Sequence, residues 1–237
     1  MILTDRLRFA FEWIPNCDSL LDIGGDCGSV SNEYLKKAKI VSMTDFNEEH
    51  LKIGQKRFPK VNFVRSIAEQ LPFKSNYFDV ATMTDTLEHV RNEHKSLDEL
   101  HRVLKKDSIA IISVPHRGIL GWIDPFNFKF VFPFAYKWLK GKEFAQKQLR
   151  EESWHRHYSL NKLKKLLGNK FEIEKVHRGG MLFPVLWGFQ DLFVVHVLKN
   201  KKPDWLENLM SRIYDIDYSV NWYHLGYHII IKVRKLE

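Results

Sequence analysis

The stretch Leu20-Leu21-Asp22-Ile23-Gly24-Gly25-Asp26-Cys27-Gly28 runs from an apolar strand through an acid into a glycine-bearing turn. Glycine suits a backbone that must take unusual dihedrals or lie close against a ligand. A helix that starts just beyond such a turn presents unpaired amides to polar ligand atoms. Gly24 and Gly28 stand four apart and no further glycine completes G-x-G-x-x-G, so the dehydrogenase fingerprint is absent. A second acid, Asp45, ends the next apolar run, where a carboxylate can accept hydrogen bonds from the hydroxyls of a ribose. The plain alternative for both acids is strand-end capping. Among titratable groups, His116, Asp85 and His89 follow apolar runs and are the best-placed candidates for a catalytic base, with His155 and His157 next. A structural hydrogen-bonding role is open to each of these five. The pair His155 and His157 alone is too little to define a metal site, and no other cluster has metal-ligand spacing.

These residues need elements to hold them. Residues 3–14 carry apolar side chains near helical spacing and read as an opening helix stopped by Pro15. Strands are expected at 20–23, 40–44, 61–64, 78–83 and 109–114, with helices at 30–37, 48–56 and 95–104. That alternation implies an α/β fold with a largely parallel, doubly wound sheet and helices on both faces. After Val114 the rhythm breaks into an aromatic, basic stretch, 116–157. A helix at 160–167 and a strand at 171–176 follow, then an irregular or helical stretch at 179–224 and a closing strand at 227–233. Seven strands and two insertions in one domain, 1–237, are the expectation.

The ordered set Asp22 to Gly28, Asp45-Phe46, Ser66-Ile67-Ala68-Glu69-Gln70-Leu71-Pro72-Phe73, Thr84-Asp85-Thr86-Leu87-Glu88-His89-Val90 and Leu100-His101-Arg102-Val103-Leu104 resembles the class I S-adenosylmethionine-dependent methyltransferases. Within them it is most similar to the ubiquinone and menaquinone biosynthesis subgroup. The resemblance covers about 18–115 and implies a Rossmann-like seven-stranded sheet whose last strand returns antiparallel between the fifth and sixth. It implies S-adenosylmethionine as cofactor, S-adenosylhomocysteine as product, and methyl transfer by in-line displacement. It places Gly24, Gly25 and Gly28, with Asp22 nearby, against the amino-acid end of the cofactor. Asp45 would bind the ribose, Phe46 and Ala68 would flank the adenine, and Thr84 would line the other side. Two positions depart from the family: Asp26 stands where glycine is usual, and Ile67 where aspartate is frequent at the adenine edge. These departures leave a second reading, a catalytically degenerate methyltransferase-like binding protein.

In the implied topology both insertions, 116–157 and 179–224, open at the carboxyl edge of the sheet and form a cap over the acceptor site. The net charge of +8 is not spread evenly. Residues 1–115 are near neutral, whereas 116–157 hold eight Lys and Arg against four Asp and Glu, and 158–178 hold six against two. An aromatic wall with basic residues suits a small-molecule or amphiphilic anionic acceptor, with contact at a membrane periphery. Solvated lysines and a small aromatic core within the cap are the plain alternatives. Prolines and long apolar runs argue against a nucleic-acid platform, which needs exposed stacking aromatics. Two cysteines, Cys17 and Cys27, and an opening segment with Asp5, Arg6 and Arg8 but no apolar signal core point to a cytoplasmic protein. No run reaches the roughly 18 apolar residues of a spanning helix; the nearest, 181–198, reads as a buried cap helix or an interfacial one. Acceptor identity and oligomeric state are not legible.

Overall fold

The computed structural model describes residues 5–119, 124, 127–140, 155–183, 186 and 203–237. Helix α1 (Asp5–Trp13) leads into β1 (Cys17–Ile23), α2 (Ser29–Tyr34), β2 (Ala38–Asp45), α3 (Glu48–Arg57) and β3 (Asn62–Arg65). Then come β4 (Phe78–Thr84), α4 (Glu93–Val103) and β5 (Leu104–Pro115). Past β5 stand two short helices, α5 (Phe128–Val131) and α6 (Pro133–Lys140), then α7 (Leu160–Leu167) and β6 (Phe171–Gly179). Helix α8 (Asp204–Ser219), a 3-10 turn (Tyr223–Leu225) and β7 (His228–Lys235) follow. The strands form one sheet in the order β3-β2-β1-β4-β5-β7-β6, parallel except for β7, which runs antiparallel to both β5 and β6.

The two-residue period of the strands divides the core. Leu21, Ile23, Ala81, Met83, Ile112 and Val114 face one side, against Leu97 and Leu100 of α4 and Leu163 of α7. Leu20, Val41, Met43, Val80, Ile109 and Ile111 face the other, against Ala10 of α1, Tyr34 of α2 and Leu51 of α3. Burial on both faces is why these strands read as continuous apolar runs. Strand β5 begins five residues before its apolar run. Its first part, with exposed Lys106 and Asp107, pairs Leu104 with Phe78, and the register shifts before Val80. Helices α5, α6 and α8 lie in the two stretches whose periodicity was irregular. Trp122, Phe126 and most of 181–198 lie outside the described residues.

Helix α4 governs the loop that follows β3. Asn92 caps it, accepting from the Lys95 amide at 3.0 Å. From its last turn, Arg102 donates to the carbonyls of Phe73 (2.7 Å) and Leu71 (2.9 Å). Glu99 accepts from the Leu71 amide at 2.7 Å and grips Arg102 in return. Glu69, nearly buried, accepts from the amides of Arg91 and Asn92. The loop 66–73 is thus lashed to the sheet's helical layer. Arg102→Ala strips the Leu71 and Phe73 carbonyls of a charged donor and should cost about 2 kcal/mol. In a chain of this length that lowers the thermal midpoint by about 4–8 °C, readable by calorimetry.

Candidate functional site

At the carboxyl end of β1 the chain turns sharply, and its geometry follows from one buried acid. The Asp22 carboxylate accepts from Ser31 Oγ at 2.6 Å and from Thr82 Oγ1 at 2.7 Å, joining β1, α2 and β4. Burial pushes its pKa up, opposed by those two donors. Gly25 passes between them: a Cβ there would stand 2.9 Å from Ser31 Oγ and 3.0 Å from Asp22 Oδ2. Gly28 caps α2 in the left-handed region, φ +75°, and a Cβ there would meet the Phe63 ring at 2.6 Å.

Beside this turn opens a cavity of about 590 Å³ at the carboxyl edge of the sheet. Gly24, Asp26, Asp45, Phe46, Ile67 and Ala68 line one end; Asp85, Thr86, His89, Val90 and Arg91 line the other. Asp45 accepts from the amides of Asn47 (2.8 Å) and Asp26 (3.1 Å), so the carboxylate is fixed and still has acceptor capacity on both oxygens. Phe46 is 70% exposed, a flat apolar face at the mouth. The Asp26 carboxylate lies against the His50 ring of α3. Ile67 presents an apolar side chain at the rim.

The structure therefore brings Gly24, Asp45, Phe46, Ala68, Asp85 and His89 to one cavity. Asp22, Gly25 and Gly28 sit behind it, shaping the turn. Thr84 ends β4 outside the lining, and Thr86 takes the wall position, donating to the carbonyls of Ile23 (2.9 Å) and Thr84 (3.1 Å). His116 is buried and donates from Nδ1 to the Gly226 carbonyl at 3.0 Å; burial lowers its pKa. Asp85 is held by Arg6 of α1 and by Ser113 Oγ at 2.9 Å. Burial alone would raise its pKa, but Arg6 and His228 outweigh that and lower it, so it is a weak base. His89, more than half exposed, faces the cavity.

Behind His89 lies a group that sequence spacing does not bring together. Glu88 is fully buried, and burial pushes its carboxyl up to about 7. His155 Nδ1 donates to Asp124 at 2.8 Å, while His157 Nε2 stands 3.1 Å from the same oxygen. Burial works against charge on His155, yet its bond to Asp124 and its nearness to Glu88 hold its pKa up at about 9. Asn127 and Tyr227 also donate to Asp124. Burial would raise its pKa, but the two histidines and Tyr227 hold it well below the usual range. Arg156 donates to the carbonyls of Glu88 (2.8 Å), Leu87 (3.3 Å) and Val90, pinning the loop after β4.

With this geometry established, comparison with known proteins decides the family. Residues 21–112 match the family described as "Methyltransferase domain". The ubiquinone/menaquinone biosynthesis C-methyltransferase UbiE of Azotobacter vinelandii is 30% identical over 196 residues, 76% of this chain and 77% of that protein. The chain belongs to the UbiE-type methyltransferases. It is accordingly an S-adenosylmethionine-dependent methyltransferase. The demethylmenaquinone methyltransferase of Paenarthrobacter aurescens is 33% identical over 94 residues, 40% of this chain and 37% of that protein. The solved structure of a geranyl diphosphate methyltransferase in complex with SAM shares the fold, with TM-score 0.59 and 11% identity over 98% of this chain and 84% of that one. The fold class expected from the alternating pattern is the one observed.

The glycine turn of this methyltransferase gives a direct test. Gly28→Val combines a left-handed backbone with a clash on Phe63, whereas Gly168, at φ +56°, has open space around it. Gly168→Ala should cost about 1 kcal/mol and Gly28→Val roughly 2–3 kcal/mol more, read as shifts in urea midpoint. Equal costs would mean that Phe63 moves aside freely.

Proposed function

We propose that the cavity holds S-adenosylmethionine across the carboxyl edge of the sheet, with the acceptor entering from the side of His89. The observation that carries this reading is Asp45, anchored by two amides with acceptor capacity left, set between an aromatic face and the glycine turn. In this placement Asp45 takes the ribose hydroxyls, Phe46 covers the adenine with Ala68 at its edge, and Gly24 lies along the amino-acid end. Asp22, Gly25 and Gly28 act from behind by fixing the turn. Ile67 withholds a side-chain acceptor from the adenine amine, leaving backbone groups of 66–69 for that contact.

Bound there, the cofactor supplies an electrophilic methyl on a sulfonium, a good leaving group. The protein's part is to aim the acceptor along the line of displacement and to exclude water. Asp85 stays ionised but is paired with Arg6, so it braces the loop after β4 and adds no net charge at the methyl end. His89 is the lining group best placed to take a proton from an acceptor hydroxyl or ring carbon. His116, turned to the Gly226 carbonyl, serves the fold.

The acceptor in this reading is a small, amphiphilic, quinone-type molecule, in keeping with the names of the relatives. In this reading the described parts of 116–157 and 179–224, which leave the sheet after β5 and β6, receive it. Val131, Phe132, Phe134 and Trp138 of α5 and α6 are exposed, the last two by 86% and 83%. Among the described residues no helix is long and apolar enough to cross a membrane. With the basic excess of 116–178, this apolar surface matches an anionic membrane surface from which a lipid-like acceptor is drawn.

Titration calorimetry with S-adenosylmethionine and S-adenosylhomocysteine, with NAD as control, tests the cofactor. Micromolar binding of the first two alone is expected, and Asp45→Ala should weaken it at least tenfold, about 1.4 kcal/mol. No binding to either adenosyl ligand would favour the degenerate, non-catalytic reading. Unchanged affinity in both Asp45→Ala and Gly28→Val would mean that the cofactor lies elsewhere. For the surface, co-sedimentation with phosphatidylglycerol vesicles should drop several-fold in the double variant Phe134→Ala, Trp138→Ala, and equal sedimentation would remove the membrane from the reading.

A further inference from the structure

The Glu88 carboxylate is the anomaly of the site. Its side chain has no exposed surface, and neither oxygen has a hydrogen-bond donor among the described residues. Buried polar atoms are nearly always paired, and an orphaned one calls for a water, an ion or a functional strain. Two imidazole nitrogens approach it without bonding: His155 Nε2 at 3.5 Å and His89 Nε2 at 3.9 Å from Oε1. The three donor atoms lie within 4.8 Å of one another. Metal–ligand bonds of 2.0–2.2 Å set tetrahedral donors roughly 3.4 Å apart, so the 3.5 and 3.9 Å separations need only a small inward shift of the two rings.

His155 carries a second sign. Its other nitrogen, Nδ1, donates to Asp124, and Asp124 is braced by Tyr227 Oη at 2.8 Å and Asn127 Nδ2 at 3.2 Å. A buried carboxylate on the far nitrogen of an imidazole fixes the ring and its tautomer, the arrangement that supports metal-ligating histidines. It aims the Nε2 lone pair toward Glu88. The third ligand, His89, lines the cavity, so a fourth position would open toward the acceptor.

We propose that Glu88, His89 and His155 form a divalent transition-metal site of the zinc type, with Asp124 as its outer brace. One carboxylate and two imidazoles are a donor set for Zn²⁺ or a similar ion rather than for Mg²⁺ or Ca²⁺, which prefer all-oxygen shells. The open position takes an oxygen of the acceptor, a hydroxyl or carbonyl, and so orients the ring beside the methyl end, a role that replaces proton transfer to His89 once its imidazole is a ligand. That last role rests on the cofactor placement proposed above; the metal site itself does not. Two other groupings have the right residue types. In Asp124, His155 and His157, the Asp124 carboxylate is already taken up by donors from His155, Asn127 and Tyr227. Asp26, Cys27 and His50 sit at the opposite end, where burial raises the Cys27 thiol pKa and disfavours the thiolate.

The test uses the full chain, stripped with chelator and titrated with Zn²⁺ by calorimetry and with Co²⁺ by absorption, with S-adenosylmethionine titrated in parallel. One equivalent should bind, with no thiolate charge-transfer band from cobalt. His89→Ala, at an exposed position, and His155→Gln should each weaken binding at least tenfold, and Asp124→Asn by about 10–100-fold. Cys27→Ser should leave it unchanged. A wild-type chain that binds S-adenosylmethionine but takes up no metal overturns the site. So does metal affinity indifferent to His89→Ala and His155→Gln, or a thiolate band that vanishes in Cys27→Ser. Metal uptake without adenosyl binding would instead sink the cofactor reading and leave the metal site standing.

Discussion

Asp22 holds β1, α2 and β4 together from a position with no access to water. Ser31 and Thr82 satisfy its carboxylate, and each of them belongs to a different element. In a low-dielectric interior such a network is valuable only when complete, because an unsatisfied member costs more than the bonds contribute. The consequence is geometric. With the acid fixed, the chain has one path to the start of α2, and Gly25 must occupy the gap between acid and hydroxyl. Gly24 is then delivered to the cavity wall, and the Asp26 amide to Asp45. Everything at that end of the cavity inherits its position from a residue that does not line it.

The opposite end is organised by charge. Arg6 reaches from α1 to Asp85, and Arg8 of the same helix reaches Asp215 of α8. Arg156 returns from beyond the aromatic stretch to bind three carbonyls of the loop after β4. Segments far apart in the chain thereby converge on the loop 85–90, which carries Asp85, Thr86, Glu88 and His89. The loop has one acid neutralised by arginine and one left without a donor, and that asymmetry separates their chemistry.

Much of this was legible in the residues, and the reasons differ by part. Strands buried on both faces announce themselves as apolar runs, so the alternation through β5 and the existence of β7 could be read directly, while the antiparallel place of β7 came from the family resemblance. The start of β5 could not, because Lys105, Lys106 and Asp107 carry no apolar period. That part of the cavity lining was readable because its residues follow strands in order, as Asp45 and Ala68 do. Thr86 was missed for its neighbour Thr84, since only the turn geometry decides which of the two faces inward. Glu88 and Asp124 had no local signal, and His155 stood only as a further candidate base: they lie on three segments, and only tertiary packing joins them. Arg6 likewise looked like a surface residue of an amphipathic helix.

The place of β7 has a bearing on how the molecule is made. It leaves the ribosome after the other six strands of this sheet, yet it lies inside the sheet, between β5 and β6. Until it arrives, β5 is an open edge and β6 has no partner, a condition that invites pairing with other chains. Tyr227, just ahead of β7, also donates to Asp124, so the far side of the cavity is braced only after the sheet closes. A chain interrupted before this point would therefore lack a finished sheet and a finished site together.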